Sequence, residues 1–263
     1  MYCCKSQQAR RNTMRILAIA VMMVFCAANA LAATDGMDLY LLVGQSNMAG
    51  RGALTDANRV NADRIFKLDA NGEWQRAEEP IHFDKKSAGA GLAASFARTM
   101  ADKNKDVKIG LIPCAVGGTR IDRWVEGGDL WSNAVKRAKT ALKSGKLRGI
   151  LWHQGESDAT LERAPKWGAK FESMIKSFRR ELGEVPFIAG ELGGYLENYR
   201  NKKGEGIVWQ EINSQLHGLE GKIKDYRVVS SDGLSPKRDR LHFNTESLRI
   251  FGKRYAEAFD SIK

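Results

Sequence analysis

Short apolar runs alternate along the chain with longer stretches in which apolar positions recur every three or four residues. A run of four to eight apolar or β-branched residues between turn formers fits a strand buried on both faces, whereas the three-to-four spacing fits a helix with one face on a core. The runs predict strands over residues 37–43, 107–113, 149–153, 186–189 and 226–230. Helical spacing joins Leu92, Phe96 and Met100, and more clearly Trp167, Phe171, Met174, Phe178 and Leu182. A last helix is predicted to begin at Asn244, whose side chain can accept from free first-turn N–H groups, and to carry Leu248, Phe251, Tyr255 and Phe259 on one face. These aromatic and methionine stripes read as core. Residues 51–85 are polar and turn-rich and are expected to be loops with little regular structure. Strands alternating with helices predict an α/β protein built on a parallel sheet.

The first residues do not fit that pattern. Arg10, Arg11 and Arg15 precede an apolar run over 16–25, and Ala30-Leu31-Ala32 follows as a small-x-small site. That is the order of a secretory signal peptide, and the run is shorter than the roughly 20 residues a membrane span needs. The reading is a cleaved signal over 1–32, with Met14 as an alternative start, and one domain over 33–263. The protein is then exported, periplasmic or secreted, with no stable membrane insertion after cleavage. Loss of Lys5, Arg10, Arg11 and Arg15 lowers the formal charge from +11 to +7. The remaining Lys and Arg are scattered rather than gathered in a stripe, which argues against nucleic acid as a partner. Cys3, Cys4 and Cys26 fall in the removed segment, so Cys114 stands alone, forms no intramolecular disulfide and reads as a small buried hydrophobe.

Polar clusters follow the strands: Gly44-Gln45-Ser46-Asn47-Met48, Gly117-Gly118-Thr119, and His153-Gln154-Gly155-Glu156-Ser157-Asp158, with Asp239-Arg240-Leu241-His242 as a fourth. In open parallel sheets, sites assemble at the carboxyl ends of strands. A serine hydrolase needs a hydroxyl on a tight turn, an imidazole to take its proton and a carboxylate to orient that imidazole. Of His82, His153, His217 and His242, only His242 has an aspartate three residues before it, Asp239. Ser46 ends the most apolar strand, while Ser157 is flanked by Glu156 and Asp158, and Ser235 precedes a proline. Plain structural roles also fit these residues, with Ser46 or His242 capping a helix. Backbone N–H groups at Ser46 and at a glycine, Gly118, together with the amide of Gln154, are candidates for holding a developing oxyanion. Gly117-Gly118 as a simple turn and Gln154 as a buried amide are the alternatives. The mixture of Arg120, Asp122, Arg123 and Trp124 suits a sugar, with hydrogen bonds at the rim and an aromatic face beneath. Ligand spacings for a metal and phosphate-cradling loops are missing from the sequence, and no metal or cofactor is expected.

Taken together, the four clusters resemble those of the SGNH hydrolase superfamily, and within it the sialate O-acetylesterase and acetyl xylan esterase group of carbohydrate esterases. The resemblance spans nearly the whole chain beyond residue 32, in the family's order. It implies a flavodoxin-like three-layer α/β/α sandwich with a mainly parallel sheet, with Ser46 as nucleophile, His242 as base and Asp239 as its orienting carboxylate. It also implies an oxyanion hole of Ser46, Gly118 and Gln154. Gln154 stands where the wider superfamily has asparagine, and spacing leaves Gly117 and Gly118 as rival donors. Glu156 is expected to steady the Gln154 loop, and Gln45, Asn47 and Trp124 to touch substrate or support residues that do. The implied reaction is hydrolysis of O-acetyl esters on an oligo- or polysaccharide through an acyl-enzyme, without cofactor. An esterase or thioesterase for lipid or small acyl esters and a non-catalytic glycan-binding protein are the alternatives. Oligomeric state is not encoded in these motifs.

Overall fold

The structure, a computed structural model, describes residues 36–56, 63–201 and 203–262, so the predicted signal segment lies outside the described residues. Residues 36–263 form one compact unit. Seven strands make one sheet: β1 Met37–Gly44, β2 Ile65–Leu68, β3 Trp74–Arg76, β4 Ile109–Pro113, β5 Gly145–His153, β6 Phe187–Gly190 and β7 Tyr226–Val229. Their spatial order is β3-β2-β4-β1-β5-β6-β7, and every pair is parallel except β2–β3. Among the described residues six α-helices accompany them: α1 Ser46–Ala49, α2 Leu92–Lys103, α3 Asp129–Ala141, α4 Ala164–Leu182, α5 Trp209–His217 and α6 Thr245–Asp260. Helices α2 and α6 pack on each other over one face, and α3, α4 and α5 cover the other, giving the three-layer α/β/α sandwich.

The layers are joined by the stripes seen in the sequence. Phe171 of α4 stacks on Trp167 at 4.6 Å and meets Phe187 and Tyr226 edge-on, while Tyr40 of β1 lies between Phe96 of α2 and Phe259 of α6. Removing each such ring from water is worth about 1.5–3 kcal/mol before entropy is counted. Asn244 caps α6 by accepting from Ser247 N at 2.8 Å. Gly252 lets α6 approach α2: a Cβ there would lie 2.1 Å from the Leu92 carbonyl oxygen.

Residues 51–85 correct the sequence reading, because they contain strand β2, which pairs with β4, and the edge strand β3. Ile65, Phe66 and Leu68 bury themselves on the sheet, and the chain turns back through Asp69, whose carboxylate accepts from Asn71 N and Glu73 N. Strand β5 also starts earlier than the apolar run does, at Gly145, where its side chains are partly exposed.

Candidate active site

The switch in strand order falls at β1, which lies between β4 and β5, and the carboxyl ends of these three strands carry three of the polar clusters. Gly44 pairs with His153 at the end of β5 and has φ +128, and a Cβ on it would sit 2.2 Å from the His153 carbonyl oxygen. Only glycine allows strands to close this tightly and turn at once. Gln45 N then donates to His153 O at 2.8 Å, and Ser46 opens the single turn α1.

The fourth cluster arrives from the end of the chain. Residues 235–244 double back, with Lys237 N donating to His242 O and Asn244 N to Ser235 O. Arg240 adopts φ 55, a left-handed conformation costing a non-glycine residue about 1 kcal/mol or more. Asp239 offsets it: its Oδ1 accepts from Leu241 N at 3.0 Å and His242 N at 2.9 Å. Its Oδ2 lies 2.8 Å from His242 Nδ1, and His242 Nε2 lies 3.0 Å from Ser46 Oγ. Hydroxyl, imidazole and carboxylate thus form one continuous chain. Burial pushes the Asp239 carboxyl upward, but the bonds from the His242 ring and the two amides outweigh it and hold it below its ordinary range.

Asn47 couples the two ends. Its Nδ2 donates to Glu156 Oε1 at 2.5 Å and to Leu241 O at 3.3 Å, and its Oδ1 accepts from Phe243 N at 3.1 Å. The residue beside the serine therefore grips the backbone on both sides of His242. Burial would raise Glu156, but neighbouring His153, 3.5 Å away, and the bonds from its own amide and Asn47 keep it low and ionised.

The chain opens on a cavity of about 710 Å³ whose walls include Gln45, Ser46, Gly117, Gly118, Glu156, Asp239 and His242. Three expected residues are not on it: Asn47, which grips the loops from behind, Gln154 and Trp124. Gln154 is fully buried: both Nε2 hydrogens are spent, on Thr119 O at 3.0 Å and Asp158 Oδ2 at 2.5 Å, and its Oε1 accepts from Trp167 Nε1. No donor remains for an oxyanion, so its role is internal. Gln45 does line the cavity, and its Oε1 receives Ser157 N. Trp124 is also fully buried, donating to Thr119 Oγ1 and packing edge-on against Trp152, so it offers no face to a sugar. Of its neighbours Asp122 and Arg123, the first pairs with Lys170 and the second with Asp129, and only Arg120 lines the cavity.

Sequence reasoning passed over Arg51 and Asp84. They form a buried ion pair at 2.6 Å, and Asp84 Oδ2 also receives Gly117 N at 2.8 Å, fixing the loop after β4. The Gly117 amide is thereby occupied, while the Gly118 amide donates to no described residue. Lone charged residues in a turn-rich stretch carry no pattern that would have singled them out. Among the described residues no group of three or more His, Cys, Asp or Glu is placed to hold a metal ion.

Comparison with known proteins bears on this geometry. A probable carbohydrate esterase of Arabidopsis thaliana is 32% identical over 247 residues, covering 84% of this chain and 89% of its own. The crystal structure of an Arabidopsis thaliana protein superposes with a TM-score of 0.77 at 30% identity, over 86% of this chain and 98% of that one. NanS (TM-score 0.69, 17% identity, 87% of this chain and 98% of that one) and a carbohydrate acetylesterase from Xanthomonas citri (0.62, 22%, 86% and 56%) share the fold. The model of the carbohydrate esterase, sialic acid-specific acetylesterase family matches residues 36–261, nearly all of the described fold, and the chain belongs to that family.

Proposed function

We propose that this carbohydrate acetylesterase works as a serine esterase, with Ser46 as nucleophile, His242 as general base and acid, and Asp239 as the carboxylate that orients it. The observation that carries the reading is the unbroken chain from Ser46 Oγ through His242 to Asp239, opening on a cavity. Ser46 Oγ attacks the acetyl carbonyl carbon as its proton passes to His242 Nε2. The oxyanion that forms is held by the N–H groups of Ser46 and Gly118, a reading supported by the occupation of the Gly117 amide by Asp84. When the tetrahedral intermediate collapses, the sugar oxygen leaves with the proton from Nε2. Water, deprotonated by the same nitrogen, then attacks the acetyl-serine, and acetate departs as Ser46 regains its hydrogen.

The substrate we infer is an O-acetylated sugar within an oligo- or polysaccharide. Arg51, Lys85, Arg120, Arg163 and Lys237 line the cavity against Glu156 and Asp239, a balance that favours glycans bearing acidic groups. Export after cleavage at Ala32 belongs to the same proposal, and amino-terminal sequencing of the protein from its producing cell tests it. The catalytic reading is tested with Ser46→Ala: hydrolysis of 4-nitrophenyl acetate is expected to fall about 10³-fold or more while the thermal midpoint stays near wild type. Near-wild-type turnover would remove Ser46 from the mechanism.

A further inference from the structure

A second cavity of about 800 Å³ adjoins the first, and the two share Thr160, Arg163, Tyr199 and Asn201 as a common wall. It is formed where the segment after β5 meets the one before α5, and Val208 N pins them together by donating to Ala159 O at 2.9 Å. Its rim is held by Asn201, whose Oδ1 accepts from Lys203 N and Glu205 N and whose Nδ2 donates to Glu205 Oε2. The wall is therefore shaped before any ligand arrives, which lowers the ordering cost of binding.

Its chemistry is mixed in a telling way. Leu161 is held in solvent at 82% exposure, and half-buried Tyr199 and Val208 extend that apolar surface toward the catalytic cavity. Thr160 lies within the same wall, its Oγ1 accepting from Arg163 N at 3.3 Å. A pyranose presents the same combination, a C–H face beside a ring of hydroxyls, and a tyrosine ring with aliphatic neighbours suits that face. Glu162, Lys203 and Glu205 interrupt the apolar surface, so a fatty acyl chain finds no continuous groove. The charges lining the second cavity balance, Arg163 and Lys203 against Glu162 and Glu205, whereas those lining the first leave a cationic excess, so the distal position suits a neutral sugar.

We propose that the second cavity is a distal sugar subsite reached across Tyr199, so that the enzyme acts on an acetyl group carried by an oligosaccharide of two or more sugars. This rests on the carbohydrate-ester reading of the catalytic cavity, and the test separates the two. Acetate release by the full chain is measured on partially acetylated xylose, xylobiose and xylotriose, and on the mono-, di- and trimer of partially acetylated galacturonic acid, alongside 4-nitrophenyl acetate. In at least one series kcat/KM per ester is expected to rise about tenfold from monomer to trimer, equivalent to about 1.4 kcal/mol of added binding. Tyr199→Ala, and separately the exposed change Leu161→Ser, are each expected to cut that trimer-to-monomer ratio threefold or more. A ratio near one in both series, or a ratio unmoved in both variants, overturns the subsite. Turnover of the aryl acetate with no acetate from any sugar overturns the carbohydrate reading itself.

Discussion

Two histidines in this fold have a carboxylate three residues away on Nδ1, yet only one sits in a cavity with a hydroxyl. His242 has Asp239 at 2.8 Å on Nδ1, and His217 has Glu220 at 2.9 Å on Nδ1. The difference lies on the other ring nitrogen. His242 Nε2 faces Ser46 Oγ, a group that can give up a proton, whereas His217 Nε2 faces a second carboxylate, Glu191, at 2.6 Å. The first arrangement leaves the ring able to exchange a proton with something that reacts; the second closes it into an ionic clamp between α5 and the end of β6. Local spacing made both pairs, and the long-range partner separates the proton carrier proposed above from a fastener.

The sharpest way to break this contrast is Asp239→Asn. An amide there favours the wrong tautomer of His242, and kcat on an aryl acetate is expected to fall about 10³–10⁴-fold. Because the Asp239 carboxyl is held below its ordinary range, the wild-type enzyme should keep this contribution as pH falls, losing it only when pH passes below the usual carboxylate value of 3.8. A pH–rate profile that lost activity through Asp239 well above that value would contradict the hydrogen-bond pattern.

Gln154 offers a middle case, a polar residue at the same sheet edge whose atoms are all spent inward. Replacing it with Leu strands Trp167 Nε1 and two buried acceptors, and stability should drop by about 2–3 kcal/mol, read by urea unfolding. Turnover of the folded variant should stay within about threefold of wild type. A loss of 10²-fold or more with little destabilisation would instead mark an oxyanion donor.

The smallest effect belongs to the clamp. Burial pushes the His217 ring downward, but the bonds from Glu191 and Glu220 outweigh it and raise its pKa above 6.5. Its stabilising share is therefore complete below that pH and disappears as pH climbs through the raised value. His217→Gln should lower the thermal midpoint by about 1–2 °C at pH 5.5 and leave it unchanged at pH 9, with activity intact.

Much of this was legible beforehand, for identifiable reasons. The central strands are buried on both faces and so appear as uninterrupted apolar runs; β2 is only four residues long and β3 is a three-residue edge strand with Gln75 and Arg76 exposed, and their hairpin hides among polar residues. The turn Asp69-Ala70-Asn71-Gly72 after Ile65-Phe66 was the available signal. In the site, residue type and position were readable at Ser46, Asn47, Asp239 and His242. Direction was not, since a side chain at a strand end can point to solvent or inward, and Gln154 and Trp124 point inward. Asp84 and Arg51 were invisible because their importance comes only from meeting each other and Gly117.

The 196 residues separating Ser46 from His242 carry an implication for synthesis. Every strand of the sheet and the described helices α1 to α5 are made before the imidazole, and helix α6 must still follow and seat against α2 to fix the loop that bears it. On the proposed mechanism a growing chain is therefore catalytically silent until α6 has emerged, and a truncated product ending before α6 is expected to be inert however much of the sheet it had assembled.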